Sequence, residues 1–316
     1  MAWTLYASTD ASAPALTGQA GSLVALLDAC LVTGYGAKAA AGWTKPYTGT
    51  NKAAFRMGSG RLQGYLRVQD DAPVTAAEAR VTAYESMTTV DAGTDSFPTA
   101  AYVVTRKSGS ADATARPWIL VADDRTFLLL VRYNSDANAS ALHFGEFFSF
   151  VPNDNYGLIL IGRFWENTAN FVNNIEAFGY LSAAATYSAV GGHWIARDGA
   201  GITKSIACDK LAGFSASGTN NNMAGGFSYP NPADGALLLA PVYLRTSEGG
   251  MTVLRGRLRG VWAPLHVYNG MGVNPGDTVS GTGELSGKAF MVGGYVVTTT
   301  NGAGTVFVET SDTVPR

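Results

Sequence analysis

Charge is scarce in this sequence. Asp, Glu, Lys and Arg make up 15% of 316 residues, where about 25% is usual. The two signs nearly balance, with 22 basic and 24 acidic residues for a net charge of −2, so the basic footprint of a nucleic-acid-binding protein is missing. Gly, Ala, Thr and Ser fill the deficit. A surface this poor in charge either relies on neutral polar groups or is covered by neighbouring chains, because interfaces are depleted in Lys, Glu and Asp. Composition leaves both open. Cysteine is equally sparse: Cys30 and Cys208 are far apart and lack metal-ligand spacing. Cys30 falls within an apolar helical pattern and reads as a small core residue; no disulfide between the two is expected. The longest apolar runs, FLLLV at 127–131 and LILIG at 158–162, are far too short to span a bilayer as a helix. The opening residues MAWTLYASTDASAP have no basic segment and no long apolar stretch, so no secretory signal is read there. The expectation is a soluble protein made in the cytoplasm, with no membrane insertion.

Sheet dominates what is present. One helix is clear: Leu23, Leu26, Leu27, Cys30 and Leu31 form a single apolar stripe at the i, i+3, i+4, i+7, i+8 spacing of an amphipathic helix. Ser22 is placed to cap its start and Gly34 to end it in the left-handed conformation. Elsewhere short runs rich in Val, Ile, Phe and Tyr predict strands: 52–57, 64–69, 79–87, 101–107, 118–123, 126–133, 146–151, 156–164, 236–246, 253–265 and a final pair near 289–309. Thr75 and Glu78 have capping-box spacing, which leaves a helix from Ala76 as an alternative for the third of these. Asp123, Asp124 and Arg125 predict a tight turn, and residues 152–155 another. Pro241 and Pro264 argue against interior sheet positions. Residues 215–235 read as a long surface loop. The fold class expected is mainly β, a β-sandwich or barrel-like sheets with one prominent N-terminal helix. It forms one domain over residues 1–316, with a subdivision near 165–235 as the alternative.

Chemistry-bearing constellations are hard to find. His143, His193 and His266 are isolated in sequence, and no G-x-S-x-G elbow exists to supply a nucleophile. His193, beside Trp194 and near Asp198, is the best placed, yet a structural role is favoured for all three. Asp70–Asp71 and Asp123–Asp124 are adjacent pairs. Neighbours on a strand point to opposite faces, whereas a glycosidase needs carboxylates facing each other across a cleft, so turn capping is the preferred role. The stretch PNDNYG at 152–157 lacks the closing Glu of a calcium loop and reads as a turn. Neither GYG at 34–36 nor GTGELSGK at 281–288 has phosphate-loop spacing. No catalytic, metal or cofactor residues are assigned, and an enzyme is not expected.

Candidate interface residues do stand out. Arg255, Arg257 and Arg259 alternate, so on a regular strand all three share one face. That face is either solvated or a basic stripe meeting an acidic partner. Trp262 follows closely, and Trp43, Trp118, Trp165 and Trp194 read as core or interface anchors, since Trp and Arg are enriched at interface hot spots. Asn221, Phe227 and Tyr229 are the candidates from the 215–235 loop.

The phrases LTGQAGSLVALLDACLVTGYGAKAAAGWTKPYTGTNKAAFR, YLRVQDD, ARVTAYESMTTVDAGTDSFPT, ARPWILVADDRTFLLLV, SYPNPADGALLLAPV, LRGRLRGVWAPLH and GDTVSGTGELSGKAF resemble a family of tailed-bacteriophage virion structural proteins, met among tail and baseplate genes. The resemblance runs in order from about residue 15 to 290 and brings no catalytic motif. It implies a particle component located in the virion, with other virion proteins and copies of itself as partners. Tail tip or baseplate comes first, then neck or collar, then capsid decoration. A host-surface glycan-binding module is the alternative reading.

Overall fold

The computed structural model describes residues 3–58, 60, 62–71, 77–99, 102–133, 139–163, 192–201, 206–207, 209–211, 227–266, 272–274, 276–293 and 306–311. The sequence's short apolar runs become strands, in order β1 (Thr4–Ala7), β2 (Thr44–Gly49), β3 (Lys52–Arg56), β4 (Tyr65–Gln69), β5 (Glu78–Tyr84), β6 (Ser86–Thr89), β7 (Ala92–Thr94), β8 (Val103–Arg106), β9 (Trp118–Ala122), β10 (Thr126–Arg132) and β11 (Ala139–Glu146). There follow β12 (Phe148–Ser149), β13 (Leu158–Arg163), β14 (Gly192–Ala196), β15 (Ile206–Ala207), β16 (Asp209–Leu211), β17 (Leu239–Glu248), β18 (Met251–Pro264), β19 (Thr278–Ser280), β20 (Ala289–Gly293) and β21 (Val306–Glu309). Every ladder between them is antiparallel.

The protein is mainly β, and its sheets curl into a half-barrel accompanied by one helix. The first sheet has twelve strands with the main order β1-β9-β10-β11-β13-β8-β5-β4-β3-β2, and β14 and β15 branch from β13. The second has seven, in the order β16-β17-β18-β21-β20-β19 with β12 added against β18. β6 and β7 form a separate ribbon. Residues of both sheets interleave in one buried cluster, which includes Val121, Leu128 and Ile159 from the first and Val242, Leu258 and Met291 from the second.

β10 explains its own sequence. Phe127, Leu129 and Val131 enter the core on one face, while Leu128 and Leu130 enter the core against the second sheet. An antiparallel strand that is covered on both sides loses the usual polar alternation, hence the unbroken FLLLV.

The helix forms where the stripe places it. α1 spans Ser22–Leu27 and continues as a π-helical turn over Asp28–Thr33, in which Gly34 N–H donates to the Ala29 carbonyl at 2.8 Å. Gly34 ends it at φ 78°, a conformation that favours glycine. Leu23, Leu26, Leu27, Cys30 and Leu31 are all fully buried. Cys30 is a free thiol whose pKa burial pushes up; Cys208 lies outside the described residues. The N-terminal cap differs from expectation. Ser22 Oγ donates to the carbonyls of Thr17 and Gln19, and Gly21 occupies the cap position. The helix start is instead capped by Asp70, whose Oδ2 accepts the Leu23 N–H at 2.7 Å. Asp70 in turn pairs with the buried Lys107, which also donates to the Gln19 carbonyl at 2.7 Å. Burial raises the Asp70 carboxyl to about 6, against the pull of Lys107.

The third predicted strand forms, as β5 from Glu78, rather than the alternative helix; Thr75 and Ala76 lie outside the described residues. Two other expectations change. The run at 146–151 pairs with the 156–164 run only at its start, through Glu146↔Leu158 at the end of β11 and the Phe147 N–H donating to the Gly157 carbonyl at 3.0 Å, after which the short β12 crosses to the second sheet. Pro241 sits within β17, opposite Trp262, but β16 reaches only Tyr243–Arg245, so the proline interrupts no ladder to β16. The alternative subdivision near 165–235 falls largely outside the described residues.

Candidate functional site

The arginines of β18 do not form the outward stripe that alternation predicted. Two irregularities break the period. Leu244 and Arg245 pair with Gly256 and Leu254, so Arg255 is an extra residue between them, a bulge that re-aims its side chain. A second shift separates Tyr243↔Arg257 from Pro241↔Trp262, and within that stretch Gly260 has φ 64°. Arg255 is consequently fully buried. Its guanidinium meets Asp154 at 2.7 Å and Glu248 at 2.9 Å. Arg259 is 5% exposed and its Nη2 reaches Asp123 at 2.7 Å. Gly256 makes room for this arrangement, because a Cβ there would lie 2.2 Å from the Phe148 carbonyl oxygen of β12.

Arg257 alone remains at the surface, half-buried. Its guanidinium lies 5.3 Å from the Phe148 ring centroid, and among the described residues no carboxylate pairs with it. It stands at one end of a cleft of about 670 Å³. The floor is apolar: Leu237, Leu239, Pro241, Leu265 and Leu285. Trp262 lines it too, but only 8% exposed. Its indole N–H donates to Glu309 Oε2 at 3.3 Å and its ring meets Phe290 edge-on. Lys288, also in the lining, is held by Glu309 Oε1 at 2.5 Å. The far end carries acids. Leu237 N–H donates to Thr282 Oγ1 at 2.6 Å, which docks the turn Gly283–Leu285 and its exposed Glu284 there. Asp234 stands at the same end, its carboxyl held below the usual range first by the Ala236 N–H, then by Asn231.

The loop candidates partly join this region. Tyr229 packs on the cluster containing Leu237 and Trp262, and Phe227 is 41% exposed beside the Phe227↔His266 bridge. Asn221 lies outside the described residues, as does Trp165. Trp43, Trp118 and Trp194 are core residues, each no more than 3% exposed.

No histidine forms a catalytic arrangement among the described residues. His266 accepts from Leu238 N–H through Nε2 at 2.6 Å, and its Nδ1 faces the Ser228 carbonyl at 2.9 Å. That pattern fixes a neutral ring, and burial lowers its pKa. His143 is fully buried, and neither ring nitrogen finds a hydrogen-bond partner among the described residues. Burial, then the Arg259 charge, pushes its pKa down to about 3. The backbone of His193 runs in β14 opposite Gly162; its side chain lies outside the described atoms. Of the acidic pairs, Asp123 caps its turn: its Oδ1 accepts the N–H of Arg125 and of Thr126, each at 2.9 Å. Asp154, from the 152–157 turn, accepts from Tyr156 N–H, Ser149 Oγ and Arg255. A smaller cavity of about 160 Å³ is lined by Glu146 and Asp154, and each carboxylate already faces an arginine. No three His, Cys, Asp or Glu side chains gather with metal-binding geometry among the described residues.

Sequence reasoning missed the acidic end of the cleft and the buried ion pairs. Only GTGELSGK, read as a turn, marked the place of Glu284. No protein-family model matches the chain, and no curated protein is detectably similar to it.

Proposed function

We propose that this chain is a structural component of a tailed-phage particle. It is present in several copies, binds other virion proteins through its second sheet and serves assembly rather than turnover. Tail tip or baseplate is the leading location, then neck. The observation that carries the binding part is the open, leucine-floored cleft with an Arg257 that has no ion-pair partner among the described residues, on a protein whose other β18 arginines are engaged internally. Internal pairing leaves the surface even poorer in charge than the composition suggests, as in surfaces covered by neighbours. The particle assignment rests on the resemblance in sequence phrases. A glycan-binding role is less well supported, because Trp262 offers no open ring face to a sugar.

A cryo-EM reconstruction of the intact particle tests this directly. The expected density places another subunit over the cleft face and over Phe227. A reconstruction without this chain refutes the particle assignment, and one with the cleft open to solvent in every copy refutes its use as the binding face.

A further inference from the structure

The cleft is polarised, and its polarity specifies a ligand. From Leu237, beside Thr282 and Glu284, to Pro241, near Arg257, the chain advances four residues, roughly 13 Å at an extended rise of about 3.3 Å per residue. Along that length lie Leu237, Leu239 and Pro241. One end holds the exposed carboxylates of Asp234 and Glu284; the other holds the guanidinium of Arg257. The other cation of the lining, Lys288, is neutralised by Glu309. Glu284 has no hydrogen-bond or ion-pair partner among the described residues, and neither does Arg257.

We infer that the cleft takes an extended segment of about four or five residues from a partner protein. The segment is apolar in its middle, with a carboxylate facing Arg257 and a Lys or Arg facing Glu284 and Asp234. The inference rests on the assembly reading and names its partner chemistry. Charge complementarity at both ends selects the occupant. An acidic saccharide would satisfy Arg257 but set its next anionic groups against Glu284 and Asp234, with leucines beneath. A peptide strand places side chains i, i+2 and i+4 on one face, which matches a carboxylate, an aliphatic group and a cation over this distance.

The test uses the full chain and four fluorescent probes: Ac-Glu-Leu-Val-Leu-Lys-NH2, its reverse Ac-Lys-Leu-Val-Leu-Glu-NH2, Ac-Glu-Leu-Val-Leu-Glu-NH2 and trigalacturonate. One of the two dipolar peptides, whichever fits the strand direction, is expected to bind saturably. Glu at both ends should weaken it about tenfold, as should Arg257→Gln or Glu284→Gln in the protein. Both variants change half-buried or exposed groups without ion partners among the described residues, so an unchanged melting temperature is the control. Binding of trigalacturonate alone, binding indifferent to Arg257 and Glu284, or binding of neither dipolar peptide overturns the inference. So does concentration-dependent self-association abolished by Arg257→Gln, which would make a second copy the occupant. Incorporation of the chain into particles is scored separately: an Arg257→Gln, Glu284→Gln double variant that still incorporates refutes this ligand while leaving the assembly role standing.

Discussion

On one face of the first sheet, Trp43 meets Phe127 and Phe144 edge-on at 5.7 and 5.9 Å, and the leucine stripe of the helix closes the space beside them. On the other face the same strands meet the second sheet, and there the apolar packing is crossed by charge: Arg259 reaches Asp123 between the sheets, and His143 is sealed in nearby with no hydrogen bond to its ring among the described residues. Where β12 and the 152–157 turn adjoin β18, Arg255 is clamped by Asp154 and Glu248. The first region is held by burial, which tolerates volume-conserving change. The second depends on pairing, which does not tolerate loss of one partner. Apolar packing also leaves no free side chain for recognition. The paired region uses up two of three neighbouring arginines and leaves the third facing outward.

That contrast can be broken from the apolar side first. Leu27→Asp places a carboxylate among fully buried residues with no cation assigned to it, and should destabilise the protein by about 5 kcal/mol. Urea denaturation with circular dichroism measures it; an unchanged midpoint would mean that the helix does not seal this core.

On the paired side, Asp154→Ala removes the main anion from a fully buried guanidinium and should cost about 3–5 kcal/mol. Replacing both partners, with Asp154→Leu and Arg255→Met together, should recover a large part of that loss. If the double variant is no better than the single one, the ion pair contributes more than the cost of burying it. For the same reason, changing all three β18 arginines to Ser would test folding, and only Arg257 is suited to testing recognition.

The smallest expected effect is a pH dependence. His143 stays neutral in the folded protein, with its pKa lowered to about 3 from an unfolded value near 6.5. The unfolded chain therefore takes up the proton first. Stability from this group is complete above pH ~6.5 and falls as pH drops toward 3, by about 2 kcal/mol at pH 5. Asp70 acts in the opposite sense: its carboxyl, raised to about 6, favours the folded state in acid, and that contribution fades as pH rises from about 4 to 6. Comparing the wild type with His143→Leu between pH 7 and 4 isolates the histidine. Parallel stability curves would show that His143 titrates in the fold as it does in the unfolded chain and is not sealed from solvent.

Much of the local architecture was legible in the residues. The apolar stripe fixed the helical span from 22 to 33 and its buried face, Gly34 marked its end, Asp123 marked a turn, and the Val- and Phe-rich runs marked most strands. Each of these follows from periodicity or from hydrogen bonds within a few residues, which the chain encodes directly. The cap of the helix did not follow, because Asp70 comes from the end of β4, 47 residues from the N–H it accepts. Nor did the fate of the arginines. A strict period of two puts Arg255, Arg257 and Arg259 on one face, but a bulge and a left-handed Gly260 arise only where β18 must serve β17, β12 and β21 in turn. The cleft, with Arg257 at one end and Glu284 at the other, exists because β17 and the 283–285 turn are brought together by pairing between distant segments. Local pattern determines which residues form strands, and the competition for partners among those strands decides which charges are left to face outward.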